Sequence, residues 1–417
     1  MSSGRDAASS APAEHAVTFT FTLLATLTVV LALTPYSVDA FLPAFPTAVQ
    51  ELGTTTSTMQ LTLTAFLIGI AGGQLVFGPI SDRFGRRGPL LLGSALCAAA
   101  AITAALAPTV GVLIVARLFQ GIAGSAAMVI CKAMIRDRTS GGGTTRLLSL
   151  ITVASGALNI FAPIIGGVLV REYGWRGPLW FIAGLAVFIF VIMVIVVPET
   201  SPVELRHGAG KWLGFASMID HLKNRTFVVY VVIQAGSYGT LLAYVSASPF
   251  VYQNVLGFDS TSYGILFAVN AACGVLANFI ANNVLRHVGP KRLVMWGLGL
   301  SMTGTLLVAA TWSVDAPSPV IAACITLSMA PLGLNGPNLV GLALNQVSHA
   351  TGSAAATLGF TQFLTGSLVS PVVGLWGDAT LIPCLVAMLT LAGGSMLFMV
   401  LSHRSDRALR AVSALEE

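Results

Sequence analysis

Charge is what this sequence has least of. Asp, Glu, Lys and Arg make up 9% of its 417 residues, against 55% hydrophobic residues. Ordinary soluble domains carry about 25% charged residues, so a mean hydropathy of +0.85 leaves too little polar surface for a water-soluble globule. Other absences narrow the field further. No Gly-x-x-x-x-Gly-Lys-Ser/Thr loop occurs, and no polar stretch is long enough for a nucleotide-hydrolysing domain, which excludes ATP as the direct energy source. His15, His207, His221, His287, His349 and His403 all fall in expected tails or loops, leaving no imidazole to act as a base inside an apolar run, which argues against an enzyme. Cys97, Cys131, Cys273, Cys324 and Cys384 are scattered with no paired spacing, so neither a metal site nor a cofactor is expected.

What fills the chain instead is a succession of apolar runs, each close to the roughly 20 residues that cross a hydrocarbon core. Twelve are expected, at 18–40, 59–79, 89–107, 110–134, 147–170 and 177–198, then at 226–249, 261–285, 291–312, 318–341, 353–376 and 380–402. None alternates with period two, and backbone groups in lipid must be satisfied within the segment, so these are helices and the fold class is an all-α membrane protein. The first run exceeds a signal-peptide core and eleven more follow it, so it counts as a helix. The longest polar interval, 199–225, divides the chain into two six-helix halves, 18–198 and 226–402, with solvated tails at 1–17 and 403–417. Such halves imply a pseudo-two-fold axis along the membrane normal and a central site near the midplane.

Orientation follows from the cations. With both termini cytoplasmic, nearly all Lys and Arg fall on the inner side, only Arg171 and Arg176 lie outside, and Arg117 sits within a span. The net charge of +5 therefore reflects the inner membrane surface and gives no reason to expect nucleic acid as a partner.

Charge inside the bilayer costs about 2.5 to 3.5 kcal/mol per group on insertion scales and is rarely kept without use. Two such groups stand out: Asp39 near the outer end of the first helix and Arg117 in the fourth. Burial and a neighbouring guanidinium act on a carboxyl in opposite senses, so the pair suits a proton switch. The plainer readings are an interfacial, solvated Asp39 and an Arg117 that anchors carbonyls of a neighbouring helix. Arg117, Gln120, Gly121 and Gly124 share one helical face, with small residues permitting a close neighbour. In the fifth helix Pro163, followed by Gly166 and Gly167, marks a bend or hinge.

The stretch Gly78-Pro79-Ile80-Ser81-Asp82-Arg83-Phe84-Gly85-Arg86-Arg87 resembles the signature loop between helices 2 and 3 of the major facilitator superfamily. Together with Arg117, Gln120 and Gly121, and with Ala162-Pro163 and Gly166-Gly167, it resembles motifs A, B and C of drug:proton antiporters. Asp39-Ala40-Phe41-Leu42-Pro43-Ala44, Gly174-Trp175-Arg176 and Pro198-Glu199-Thr200 resemble the bicyclomycin and chloramphenicol efflux branch. The chain departs from that pattern at Ala162, Leu158 and Phe41. Leu31 stands where some related exporters have a second acid, which the resemblance turns into an expectation of neutral, modestly polar substrates.

The resemblance implies a proton-coupled antiporter working by alternating access, with Asp39 and Arg117 carrying the coupling and no cofactor beyond the proton gradient. Expected partners are a small-molecule drug, protons and the lipid bilayer, for a monomer in the cytoplasmic membrane. A conformational latch is expected from Gly78, Asp82, Arg83, Gly85, Arg86, Arg87 and Asp137: Asp82 can pair with Arg86 one turn on, and can face the amino end of helix 11 near Thr351, Gly352 and Ser353. Candidates for the substrate cavity, beside Asp39, Arg117 and Gln120, are Tyr36, Asn159, Gln234, Tyr238, Asn270, Asn335, Asn338 and Gln362, with Met128, Phe66 and Phe360 as apolar wall; each polar one alone equally suits an interhelical hydrogen bond. The same helices would also serve an uptake symporter or facilitator for a small metabolite.

Overall fold

A computed structural model describes residues 21–139, 142–200, 220–283, 287–347, 351–377 and 379–416. Among them lie twelve helical segments long and apolar enough to cross a membrane: α1 (Phe21–Glu51), α2 (Thr56–Phe84), α3 (Arg87–Ala105), α4 (Val110–Arg138), α5 (Arg146–Tyr173), α6 (Arg176–Val196), α7 (Arg225–Val255), α8 (Ser260–Asn283), α9 (Pro290–Ser313), α10 (Ser318–Leu344), α11 (Ser353–Val373) and α12 (Ile382–Ser402). No strand occurs among the described residues.

Local chemistry sets many of the ends. Thr55 accepts a hydrogen bond from the Thr58 amide at the start of α2, and Thr109 from that of Val112 at the start of α4. Asn224 accepts from both Thr226 and Phe227 at the start of α7. Each satisfies amides that the first turn of a helix leaves without partners. Gly85, at φ +89°, ends α2 in a conformation that L side chains rarely adopt.

Several elements differ from their expected extents. α2 runs through Pro79 to Phe84, so most of the basic motif is helix and the turn is only Gly85 and Arg86; Pro79 removes one donor, which a long helix tolerates. α4 gains a full turn and brings Asp137 and Arg138 into the helix. α1 is a compound of the helix Phe21–Asp39, a 3-10 turn Leu42–Ala44 and a short helix Phe45–Glu51, broken where Pro43 and Pro46 interrupt the donors. α10 is likewise split by a 3-10 segment Ala330–Leu334 containing Pro331. The helix of α12 continues to Glu416, well past the expected end at 402, through a stretch rich in Ala, Leu and Arg that favour helix.

Small residues set which helices touch. Gly69 and Gly73 of α2 lie on the backbone of α4, and Gly121 of α4 lies on Phe66 of α2, so the two axes approach until backbones meet. Across the molecule, Gly264 of α8 packs on Pro163 of α5 and Gly167 of α5 on Ser260 of α8. Residues such as Phe119, Phe161, Phe188 and Phe279 are exposed on the outside of the bundle, as a lipid-facing surface requires.

Segments α1 to α6 and α7 to α12 meet mainly at one end. There Ser57 Oγ donates to the Pro371 carbonyl (3.1 Å), Gln60 Nε2 to Ser246 (2.9 Å) and Thr64 Oγ1 to Ser367 (3.1 Å). Gln253 Nε2 reaches the Pro43 carbonyl (3.0 Å) and Ser260 Oγ that of Gly167 (3.0 Å). This is the end opposite the Gly85–Arg86 turn. Trp175 and Arg176 brace it: Trp175 Nε1 donates to Glu51 (2.8 Å), and Arg176 to the Ala107 carbonyl (2.9 Å).

Candidate functional site

Three groups of residues bear on function, and the structure keeps them apart. The first surrounds Arg117. Its side chain is 1% exposed, donates to the Ser37 carbonyl (3.2 Å) and to Gln120 Oε1 (2.9 Å), and lies over the rings of Phe66 (4.3 Å) and Phe41 (5.4 Å). A guanidinium removed from water needs such donors and aromatic faces to offset its lost hydration. Its Nε finds no acceptor. Arg117 and Gln120 thus form a clamp holding α1 against α4, and neither lines the cavity described below.

Asp39 is the one acid of the described spanning segments that stands away from a segment end. It is partly exposed and makes neither a hydrogen bond nor an ion pair among the described residues. Arg117 grips the backbone of α1 two residues before Asp39, through the Ser37 carbonyl. The direct acid–cation pair that the sequence suggests is not made.

The second group is a cavity of about 280 Å³ between α7, α10 and α11. Gln234, Ser237, Tyr238, Gly336, Pro337 and Gln362 are among its lining residues, and no charged side chain is. Gln234 Nε2 donates to Gln362 Oε1 (3.2 Å), which leaves Gln234 Oε1 buried without a donor. Of the expected cavity residues only Gln234, Tyr238 and Gln362 meet here. Asn270 instead joins three helices: it donates to Tyr244 (2.6 Å) and Tyr252 (3.2 Å) and accepts from Thr326, so its amide is fully used. Asn335 donates to Ser237 (3.1 Å), Asn338 turns back to the Leu334 carbonyl of its own segment (2.7 Å), and Tyr36 packs its ring on Phe181 of α6. Asn159 keeps a buried amide oxygen without a partner in α5. Phe66 stacks on Arg117, Met128 touches Gln74, and Phe360 packs in the core.

The third group lies at the opposite end from the cross-bundle hydrogen bonds. Arg86 Nε donates to Asp137 (2.8 Å) and its Nη1 to Ser81 (2.9 Å) and to Asp82. Burial works against the Arg86 charge, but the bonds and charges of Asp137 and Asp82 outweigh it and hold this guanidinium above its ordinary value. Arg83 lies over Phe84, Arg87 Nη2 reaches the Val194 carbonyl (2.9 Å), and Gly78 faces Val129. Asp82 pairs with Arg86, while the side chains of Thr351 and Gly352, at the start of helix 11 where its other expected contact falls, lie outside the described residues; Ser353 pairs with His221 (2.8 Å).

Glu199 is the residue that sequence reasoning left without a role. Its carboxylate accepts from the amides of Arg86 (2.9 Å) and Arg87 (3.2 Å), capping α3, whose own N-cap residue offers no side-chain acceptor. Arg138 of α4 donates to its carbonyl (3.1 Å). An acid directly after the last apolar residue of α6, facing a basic turn, was the available signal. In α5, Gly166 lies on Ala40 of α1, so Pro163, Gly166 and Gly167 sit where α5 touches both α1 and α8.

Among the described residues no group of His, Cys, Asp or Glu is arranged to hold a metal ion.

This architecture is that of a transporter, and comparison with known proteins gives its family. Residues 27–371 match the Major Facilitator Superfamily model. The MFS-type transporter YdgK of Bacillus subtilis is 32% identical over 87% of this chain and 91% of its own length. The bicyclomycin resistance protein homolog of Haemophilus influenzae is 27% identical over 88% and 93%, and the multidrug resistance protein MdtL of Klebsiella pneumoniae 26% over 88% and 92%. Among solved structures, a D-xylose-proton symporter superposes with a TM-score of 0.74 at 17% identity, covering 91% of this chain and 97% of that one.

The chain belongs to the major facilitator superfamily. It is a multi-pass transporter of the inner membrane and not an enzyme.

Proposed function

We propose that the chain is a proton-coupled exporter of small, neutral, antibiotic-like compounds, acting as a monomer by alternating access. The observation that carries this reading is Asp39: a partly exposed carboxylate in the middle of a spanning segment, with no hydrogen bond or ion pair among the described residues. Such a group is costly to keep in a membrane unless it takes up and releases a proton in each cycle. The resistance functions in the names of the Haemophilus and Klebsiella relatives favour export and drug-like substrates.

In the cycle, Asp39 takes a proton from outside, its neutral form permits the two sets of helices to rock, and substrate entering from the cytosol favours release of that proton inward. One charge moved through 100 mV supplies about 2.3 kcal/mol, enough for about 40-fold accumulation. Arg117 acts as a positioning residue: through the Ser37 carbonyl and the Phe41 ring it fixes the stretch of α1 that bears Asp39. The Arg86 cluster and Glu199 tie α2, α3, α4 and the end of α6 into one rigid unit on the cytoplasmic side. The cross-bundle hydrogen bonds at the other end correspond to a closed outer gate.

Proton release on adding chloramphenicol-type and bicyclic antibiotics to the purified protein tests this reading. Release that disappears in Asp39→Asn is expected; its absence in the unaltered protein contradicts it. Uptake by symport is the second reading, which the likeness to a symporter fold alone does not favour. Everted and right-side-out vesicles report opposite directions for the two.

A further inference from the structure

A cavity of about 480 Å³ opens between α3 and α4 on the outside of the bundle. It shares no residue with the cavity of α7, α10 and α11. Leu96, Val115 and Phe119 form an exposed rim, and the lining is apolar except for Thr103, whose hydroxyl is spent on the Ala99 carbonyl (2.9 Å). Water held there would find no polar partners, so the groove suits an apolar occupant. The lining follows α4 from Gly111 to Ala123, about 18 Å at 1.5 Å per residue, against about 15 Å for half of a hydrocarbon core. It begins beside the turn between α3 and α4, at the end that carries the cross-bundle hydrogen bonds, and so spans a single leaflet.

Shape decides between occupants. About 480 Å³ spread over about 18 Å gives a mean cross-section of about 27 Å². A helix about 10 Å across needs about 80 Å², so a span of a second copy does not fit. A hydrocarbon chain whose carbons meet their neighbours at about 4.5 Å takes about 20 Å², so a single chain does fit. At the head of the groove, Arg176 Nη2 donates to the carbonyl of Ala107, in the turn that joins α3 to α4 (2.9 Å). Arg176 is partly exposed, lies over Trp175 (4.1 Å) and has no carboxylate in ion-pair contact among the described residues. A guanidinium with donors to spare at the depth of the headgroups is suited to a phosphate.

From the apolar lining, the one-leaflet length, the single-chain cross-section and the guanidinium at its head, we infer that the groove binds one phospholipid of that leaflet, with an acyl chain lying between α3 and α4 and the phosphate accepting from Arg176. The inference does not depend on what the chain transports. Lipid tails elsewhere are as apolar as the groove, so burial alone gives no preference for the site. Retention of this one lipid comes from close packing along α4 and from the phosphate.

The test is native mass spectrometry of the delipidated full-length protein, titrated with dipalmitoyl phosphatidylglycerol and with dipalmitoylglycerol, which has the same chains and no phosphate. One phosphatidylglycerol binds about tenfold more tightly than any further copies and about tenfold more tightly than the diacylglycerol, as one charge-assisted hydrogen bond predicts. Ala99→Phe fills the groove without removing a polar group and abolishes the tight site. Arg176→Gln keeps a donor for Ala107 and brings the two lipids to parity. Val191→Phe, on the exposed face of α6, leaves the tight site in place. Thermal unfolding shows which variants fold; Gly111→Leu, whose added Cβ meets nothing nearer than Thr109 at 3.9 Å, decides the matter if Ala99→Phe does not. Absence of a tight site in the unaltered protein, its retention when the groove is filled, its loss in Val191→Phe, or equal affinity of the unaltered protein for the two lipids overturns the inference. Proton release on adding a drug is a separate measurement, so the export reading and this one fail independently.

Discussion

Arg117 and Glu199 illustrate two ways of holding charge at a membrane protein's helix junctions. Arg117 spends its donors on a carbonyl and an amide and its faces on two rings, so its removal leaves the Ser37 carbonyl and the Gln120 amide short of a partner. Arg117→Lys keeps the charge but loses the planar stacking and the forked donors. It is expected to slow transport at least about tenfold, measured as initial rates in proteoliposomes, while Asp39 still titrates; an unaltered rate would show that the clamp does not set the position of Asp39. Glu199→Gln keeps one acceptor for the amides of Arg86 and Arg87 but removes the negative charge beside a basic turn. A cost of about 0.3 to 1 kcal/mol is expected, read as a small drop in melting temperature that shrinks as salt is raised; a salt-independent drop would point to lost packing instead.

Legibility at this scale was uneven. Asp39 and Arg117 could be read from sequence because ionisable groups are so rare in apolar runs that each one signals itself. Asn270 and Asn335 could not, since an amide in a membrane helix has the same sequence signature whether it bonds a ligand or another helix, and only the positions of Tyr244, Tyr252, Thr326 and Ser237 decide it.

At the scale of elements, the spans were legible because length and apolarity fix them. Their ends and breaks were less so. α2 carries Pro79 without stopping, whereas Pro331 accompanies a switch to 3-10 geometry in α10, and the local sequence around each proline does not distinguish the two. Helix contacts rest on glycine: Gly121 of α4 meets the Phe66 backbone and Gly264 of α8 the Pro163 backbone. Gly264→Val inserts a branched side chain where two backbones touch, beside the hydrogen bond of Ser260 with the Gly167 carbonyl. It is expected to hold the outer end apart, so that a cysteine placed at Ser260 reacts faster with a membrane-impermeant maleimide. No change in labelling rate would mean that α5 and α8 do not form part of the gate.

At the scale of the whole molecule, two sets of six helices touch through hydrogen bonds concentrated at the end away from the basic turn. That geometry suits a rocking motion in which these bonds break as others form at the opposite end. Cysteines at Pro43 and Gln253, whose backbone and side chain are joined at 3.0 Å, are expected to be bridged by a short reducible bifunctional thiol reagent and to stop transport, with activity returning on reduction. Transport that continues in the cross-linked protein would exclude outer opening at this place. The sequence foretold two sets of six spans, but a single chain of residues does not encode which of several nearly equal arrangements is occupied, and here Asp82 is engaged by Arg86 within its own half.

The most direct measurement is the proton count on substrate addition to the detergent-purified protein in weak buffer, with Asp39→Asn alongside. The account predicts release of protons by the unaltered chain when a chloramphenicol-type or bicyclic antibiotic binds, and none from Asp39→Asn although that variant still binds the compound. Equal release from both proteins would contradict it.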